Sequence, residues 1–199
     1  MKAFLADPAR AFWLGCGFAA LGLAYWVADG SGDDLGLVSF VIRLIHVGAA
    51  MLWVGMIWFV NFIQLVALRD ADDTARDALL IHIVPRVTAL LSIASHIVVA
   101  SGVGLLLTTG YLFDRWVFPS SVYIPSPRAL MLWIGAFAGL AMWGLVHAVI
   151  RPGLATILDR GEGQANVAEA RGRVLMAARI NLVLAIPVTF AMIAAAHLY

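Results

Sequence analysis

Four histidines stand where an oily chain rarely keeps them. His46, His82, His96 and His147 fall in or beside long apolar blocks, while His197 merely ends the last one. A neutral imidazole offers one ring nitrogen as a lone pair. Two of them facing each other across a helix bundle make the axial pair of a six-coordinate b-type haem. His82 and His96 are fourteen residues apart. On a straight helix that is nearly four turns, about 40° from perfect alignment, with a rise of roughly 21 Å. The two would share one face at two depths. His46 is the expected partner at the level of His96, and His147 at the level of His82.

Three arginines track these histidines. Arg43 lies three residues before His46, Arg86 four after His82, and Arg151 four after His147. Such spacings share a helix face. Charge-assisted hydrogen bonds from arginine would hold haem propionates near the membrane surface. The expected set is therefore His46, His96, His82 and His147 as metal ligands, Arg43, Arg86 and Arg151 as propionate partners, and one or two haem b groups. No catalytic residue stands out. Plainer readings exist: a membrane histidine often bonds one helix to the next, and Arg86 and Arg151 also suit the snorkelling edge of a span. Pro85 suits the first turn of a helix. A helix starting there would leave His82 in the preceding segment and end the fourteen-residue register.

The remaining polar and small residues point less sharply. Gly48, Ala49, Ala50, Gly55, Gly135, Gly139 and Gly144 let helices approach closely, or clear room for a flat macrocycle. Trp53, Trp58, Trp133 and Trp143 read as packing or interface residues. Met51 and Met56 follow His46 at steps that wander around a helix, so a copper site is a weak reading. Asn61 and Gln64 read as interhelical glue or as part of a quinone pocket. The Ser92, Ser95 and His96 cluster and Pro187 would also suit a transporter, which places polar groups at mid-membrane and breaks its helices.

The elements that must position these residues follow from composition. The chain has 199 residues, 63% hydrophobic and 13% charged. A soluble domain carries about twice that charge. The apolar residues form five blocks, roughly 11–28, 37–66, 80–109, 129–150 and 174–198, each long enough to span at about 20 residues. The expected fold is all-α: a single polytopic membrane domain over 1–199, a bundle of about five transmembrane helices. With the N-terminus inside, ten of the thirteen Lys and Arg residues fall on the inner side and three (Arg43, Arg115 and Arg128) on the outer. That bias predicts N-in and C-out. The first block reads as a retained helix rather than a cleaved leader. The segment Arg151–Arg173 is read as a loop holding a short surface helix. A net charge of +1 gives no hint of nucleic acid. Cys16 is the only cysteine, so an internal disulfide and a Cys-x-x-Cys-His haem attachment are both excluded.

The stretch RLIHVGAAMLWVGMIWFVNFIQ, Arg43–Gln64, resembles the N-terminal membrane domain of the cytochrome-c-linked urate oxidases. There an R-x-x-H helix runs into a Trp-x-Gly step and an aromatic, Asn-containing end, matched here by Arg43, His46, Trp53, Gly55, Phe59, Asn61 and Phe62. The resemblance implies a membrane oxidoreductase that passes electrons to a c-type cytochrome. This chain has five expected spans where that family has more, and it holds no motif for the family's fused cytochrome c. A looser likeness reaches the HemJ-type protoporphyrinogen oxidases and the copper-resistance membrane proteins. The HemJ type also uses an intramembrane lysine, whereas the only lysine here is Lys2.

The function expected from these features is a haem b membrane cytochrome, or a subunit of a larger membrane complex. It would pass electrons from quinol or a small substrate toward a c-type cytochrome, in a bacterial inner membrane. The alternatives are a haem-dependent urate-type oxidase and a non-redox transporter or assembly subunit.

Overall fold

A computed structural model describes residues 7–28, 34–109, 127–159 and 161–197, and every regular element among them is helical. The elements are α1 (Pro8–Ala28), α2 (Asp34–Phe59), α3 (Leu65–Asp70), α4 (Asp73–His82), α5 (Val84–Thr108), α6 (Pro127–Leu145), α7 (Arg151–Leu158) and α8 (Gln164–His197). Two π-helical turns, Val60–Gln64 and Val146–Ile150, join α2 to α3 and α6 to α7. The four stretches Gly36–Asp70, Asp73–Thr108, Arg128–Leu158 and Gln164–His197 are each long and apolar enough to cross a membrane. The chain is an all-α integral membrane protein. The aromatic loop expected after Gly110, with Tyr111, Trp116, Phe118 and Tyr123, lies outside the described residues.

Contacts divide the chain into two units, Met1–Val41 and Ile42–Tyr199. In the first, Asp7 starts α1. Its Oδ1 accepts from Ala9 N at 2.9 Å, and Pro8 sits where a missing N–H costs nothing.

The second unit holds every candidate ligand. Its core is built by Trp53, Ile57, Leu91, Ala94, Met142, Val146, Ile150, Val174, Ala177 and Ala185. The outward faces stay apolar, as lipid requires: Leu44, Ile45, Met51, Ile93, Phe137, Val183 and Ile186 are all exposed. Two glycines let helices close on α8. A Cβ on Gly135 would meet Met192 Cε at 2.8 Å, and one on Gly153 would meet Val174 Cγ2 at 2.5 Å. Gly48, Gly55, Gly139 and Gly144 do no such work, because a Cβ there would meet nothing within 4 Å. They leave open room beside α2 and α6.

The charged stretch between the second and third apolar blocks is a tight turn rather than a loop. Only Ala71 and Asp72 separate α3 from α4. Asp72 caps α4 by accepting from Ala75 N at 2.8 Å. Arg76 reaches back to α3, donating to the Leu68 carbonyl at 3.0 Å and the Ala71 carbonyl at 2.7 Å. Carbonyls at a helix C-terminus lack intrahelical partners, and one guanidinium serves two of them. At the next junction Pro85 falls in the first turn of α5, where its missing N–H and its ring bulk end the preceding helix. The segment Arg151–Arg173 is also more ordered than expected. α7 follows directly on the π-turn, and α8 begins at Gln164, ten residues before the predicted start of the last span.

Candidate functional site: a membrane histidine cluster

α5 gathers three of the four candidate histidines. His46, on α2, directs Nδ1 at the Val98 carbonyl of α5, 3.0 Å away. A carbonyl only accepts, so Nδ1 carries the proton and the lone pair falls on Nε2. Ser101 Oγ lies 3.1 Å from the same nitrogen. That hydroxyl donates to the Ile97 and Val98 carbonyls, so its oxygen is free to accept from His46. Close packing holds this ring: a Cβ on Gly102 would meet His46 Cε1 at 3.2 Å.

His96 uses the same device within its own helix. Its Nδ1 donates to the Ser92 carbonyl, one turn back, at 2.7 Å. Its lone pair also falls on Nε2, and the residue keeps an exposed edge. Metal-ligating histidines are commonly oriented this way, with the second nitrogen held by a carbonyl.

His147 differs. It sits in the π-turn Val146–Ile150, and its Nε2 lies 3.1 Å from Ser95 Oγ. Ser95 is fully buried and gives its single proton to the Ser92 carbonyl at 2.8 Å. His147 Nε2–H therefore donates to Ser95, and its lone pair falls on Nδ1. The His147 ring packs against that of His96, with centroids 4.2 Å apart and planes at 63°. Trp143 stands 4.9 Å from His147 and 5.9 Å from His96.

The expected pairings are rearranged by these contacts. The spacing pairs His46 with His96 and His147 with His82; instead His147 touches His96, and His46 anchors on Val98 and Ser101 and packs on Gly102, across α5 from His96. Rings in contact leave no thickness for a macrocycle between His96 and His147. His82 ends α4 before the break at Ile83 and is exposed. Arg86 donates to the His82 carbonyl at 2.6 Å, so it caps α4. Arg43 and Arg151 are exposed near their histidines. Among the described residues no group of three or more His, Cys, Asp or Glu gathers as a metal site.

The residues present fit a haem in two respects. Two imidazoles present Nε2 lone pairs, as axial ligation requires. The buried indole N–H groups of Trp53 and Trp143 find no acceptor, which is expensive for a donor held away from water.

Three polar features escaped the sequence reading. The π-turns were invisible to periodicity, although π-turns within α-helices often mark functional positions. Ser101 was overlooked because a serine one turn from a helix end is unremarkable. Asn181 is only 1% exposed, and the signal was available, since a lone amide within INLVLA is costly in a membrane helix. No family model, curated protein or solved structure matches this chain.

Proposed function

We propose that this protein is a haem b membrane cytochrome of a bacterial inner membrane, carrying electrons alone or as a subunit of a larger complex. His46 and His96 would be iron ligands, each of its own haem, because Ser101 and Gly102, which meet His46, lie five and six residues beyond His96 and so on the opposite face of α5. The observation that carries this reading is the shared anchoring of two intramembrane imidazoles. Each gives its Nδ1 proton to a main-chain carbonyl of α5 and keeps Nε2 free. When bound, the haem supplies reversible one-electron transfer in a dry, apolar setting. Val98, Ser101 and Ser92 fix the ring planes. Arg43, one turn from His46, suits a propionate. His147, of the opposite tautomer, holds a proton on Ser95 beside the His96 ring. The likeness of Arg43–Gln64 to the urate oxidase membrane domain supports a c-type cytochrome as acceptor.

The test is the visible spectrum of protein purified in mild detergent from haem-replete cells, with a pyridine haemochrome count. A reduced b-type α-band and two haems per chain are expected. His46→Ala and His96→Ala should each remove one haem, while His82→Ala and His147→Ala should retain both. A colourless, well-folded protein overturns the reading; a count that neither His46→Ala nor His96→Ala lowers does so too.

A further inference from the structure

Beside the π-turn at Val60–Gln64 lies a cavity of about 410 Å3, within the size range of small-molecule sites. Its walls are apolar, drawn from Ile57, Val87, Leu91, Leu154 and Val174. Three buried amides line it. Asn61 is fully engaged: its Nδ2 donates to the Ile57 and Ala178 carbonyls, and its Oδ1 accepts from Arg179. The other two are not. Asn181 lacks partners for both Nδ2 and Oδ1, and Gln64 lacks one for Oε1. Asn181 is 1% and Gln64 7% exposed. Buried polar atoms are nearly always paired, so three orphans on one cavity mark a missing partner.

The count of orphans selects its chemistry. Two acceptors and one donor call for a ligand bringing two donors and one acceptor. A carboxylate or phosphate, being acceptor-only, would face two bare oxygens. The arginines at the cavity do not change this. Arg69 and Arg76 are paired with Asp70 and Asp73, Arg179 is bonded to Asn61, and Arg171 is exposed. A ring with two hydroxyls on an apolar body satisfies all three orphans and the walls. We propose that this cavity binds a membrane quinol, its hydroxyls donating to Asn181 Oδ1 and Gln64 Oε1 and one phenolic oxygen accepting from Asn181 Nδ2. The choice of quinol among such diols rests on the electron-transfer reading above; the site itself rests on the orphaned amides. The oxidised quinone carries acceptors only and leaves Asn181 Oδ1 and Gln64 Oε1 without a donor, so the reduced form binds more tightly.

The test is calorimetric titration under argon of the full chain in phosphatidylcholine nanodiscs with a short-tailed trimethylhydroquinone, its quinone and its dimethyl ether. Quinol should bind about tenfold more tightly than either control. Asn181→Leu and Gln64→Leu should each weaken it about tenfold, with the thermal midpoint held or raised and the haem spectrum unchanged. Equal affinity for quinol and its dimethyl ether overturns the proposal. So does unchanged affinity in Asn181→Leu with a raised midpoint, which would make the amides a water-filled core defect. Quinol binding by a colourless protein sinks the haem reading and leaves this site standing; a haem-bearing protein that ignores quinol does the reverse.

Discussion

At the scale of single residues, tautomers separate the three clustered histidines. His46 and His96 spend Nδ1 on carbonyls, and His147 spends Nε2 on Ser95. Ser95→Ala removes the acceptor of the His147 proton and should cost about 1 kcal/mol of stability. It should leave the haem count unchanged, because no proposed ligand loses its anchor; a paired melt and haemochrome assay checks both. Gly102→Val is the complementary change. A Cβ alone would already crowd His46 Cε1 at 3.2 Å, so the larger side chain should tilt the ring off Val98. The expected result is loss of haem at a cost of about 1–3 kcal/mol. Full haem occupancy in that variant would show that the His46 pocket is not tight. The residue types of this site were legible in the sequence, because histidine and arginine are conspicuous among apolar neighbours. Their partners were not, since Val98, Ser101 and Ser95 act through a carbonyl or a small hydroxyl that carries no distinctive pattern.

At the scale of elements, junctions decide which residues meet. Pro85 interrupts the helix only at Ile83, which keeps αR geometry, so α4 and α5 run on as one stretch across Asp73–Thr108 and His82 stands exposed at the junction. The α3–α4 turn depends on Arg76, whose guanidinium serves the Leu68 and Ala71 carbonyls. Arg76→Ala should destabilise the chain by about 1–2 kcal/mol, and Arg76→Lys should recover only part, because one ammonium lacks the guanidinium's fork. Thermal melts in detergent rank the three proteins. Where α7 crosses α8, Gly153 lies against Val174. Gly153→Ala should lower stability by about 1–3 kcal/mol, and Val174→Ala should relieve part of that loss in the double variant. Strict additivity would show the two residues are not in contact.

At the scale of the whole molecule, the lipid-facing apolar surface and the arginine bias set how the chain sits in a membrane. Ten of thirteen basic residues fall on one side when the N-terminus is placed inside, so the C-terminus is expected on the outer face. A C-terminal alkaline phosphatase fusion should be active and an N-terminal one silent. The opposite result would invert the chain and move the quinol cavity to the other leaflet. Fold class was readable from composition because a span needs only length and apolarity, both of which are properties of consecutive residues.

The sequence by itself determined the all-α membrane class and the histidines worth watching; of the five expected spans, four are long and apolar enough to cross among the described residues. All of these depend on residues near one another along the chain. Only the tertiary structure decided that His147 lies on His96, that His46 hangs from Val98, and that Asn181 and Gln64 share a cavity with nothing to bond. The reason is geometric. A π-turn shifts every later residue around its helix axis, so depth along a straight helix no longer tells which side chains face each other.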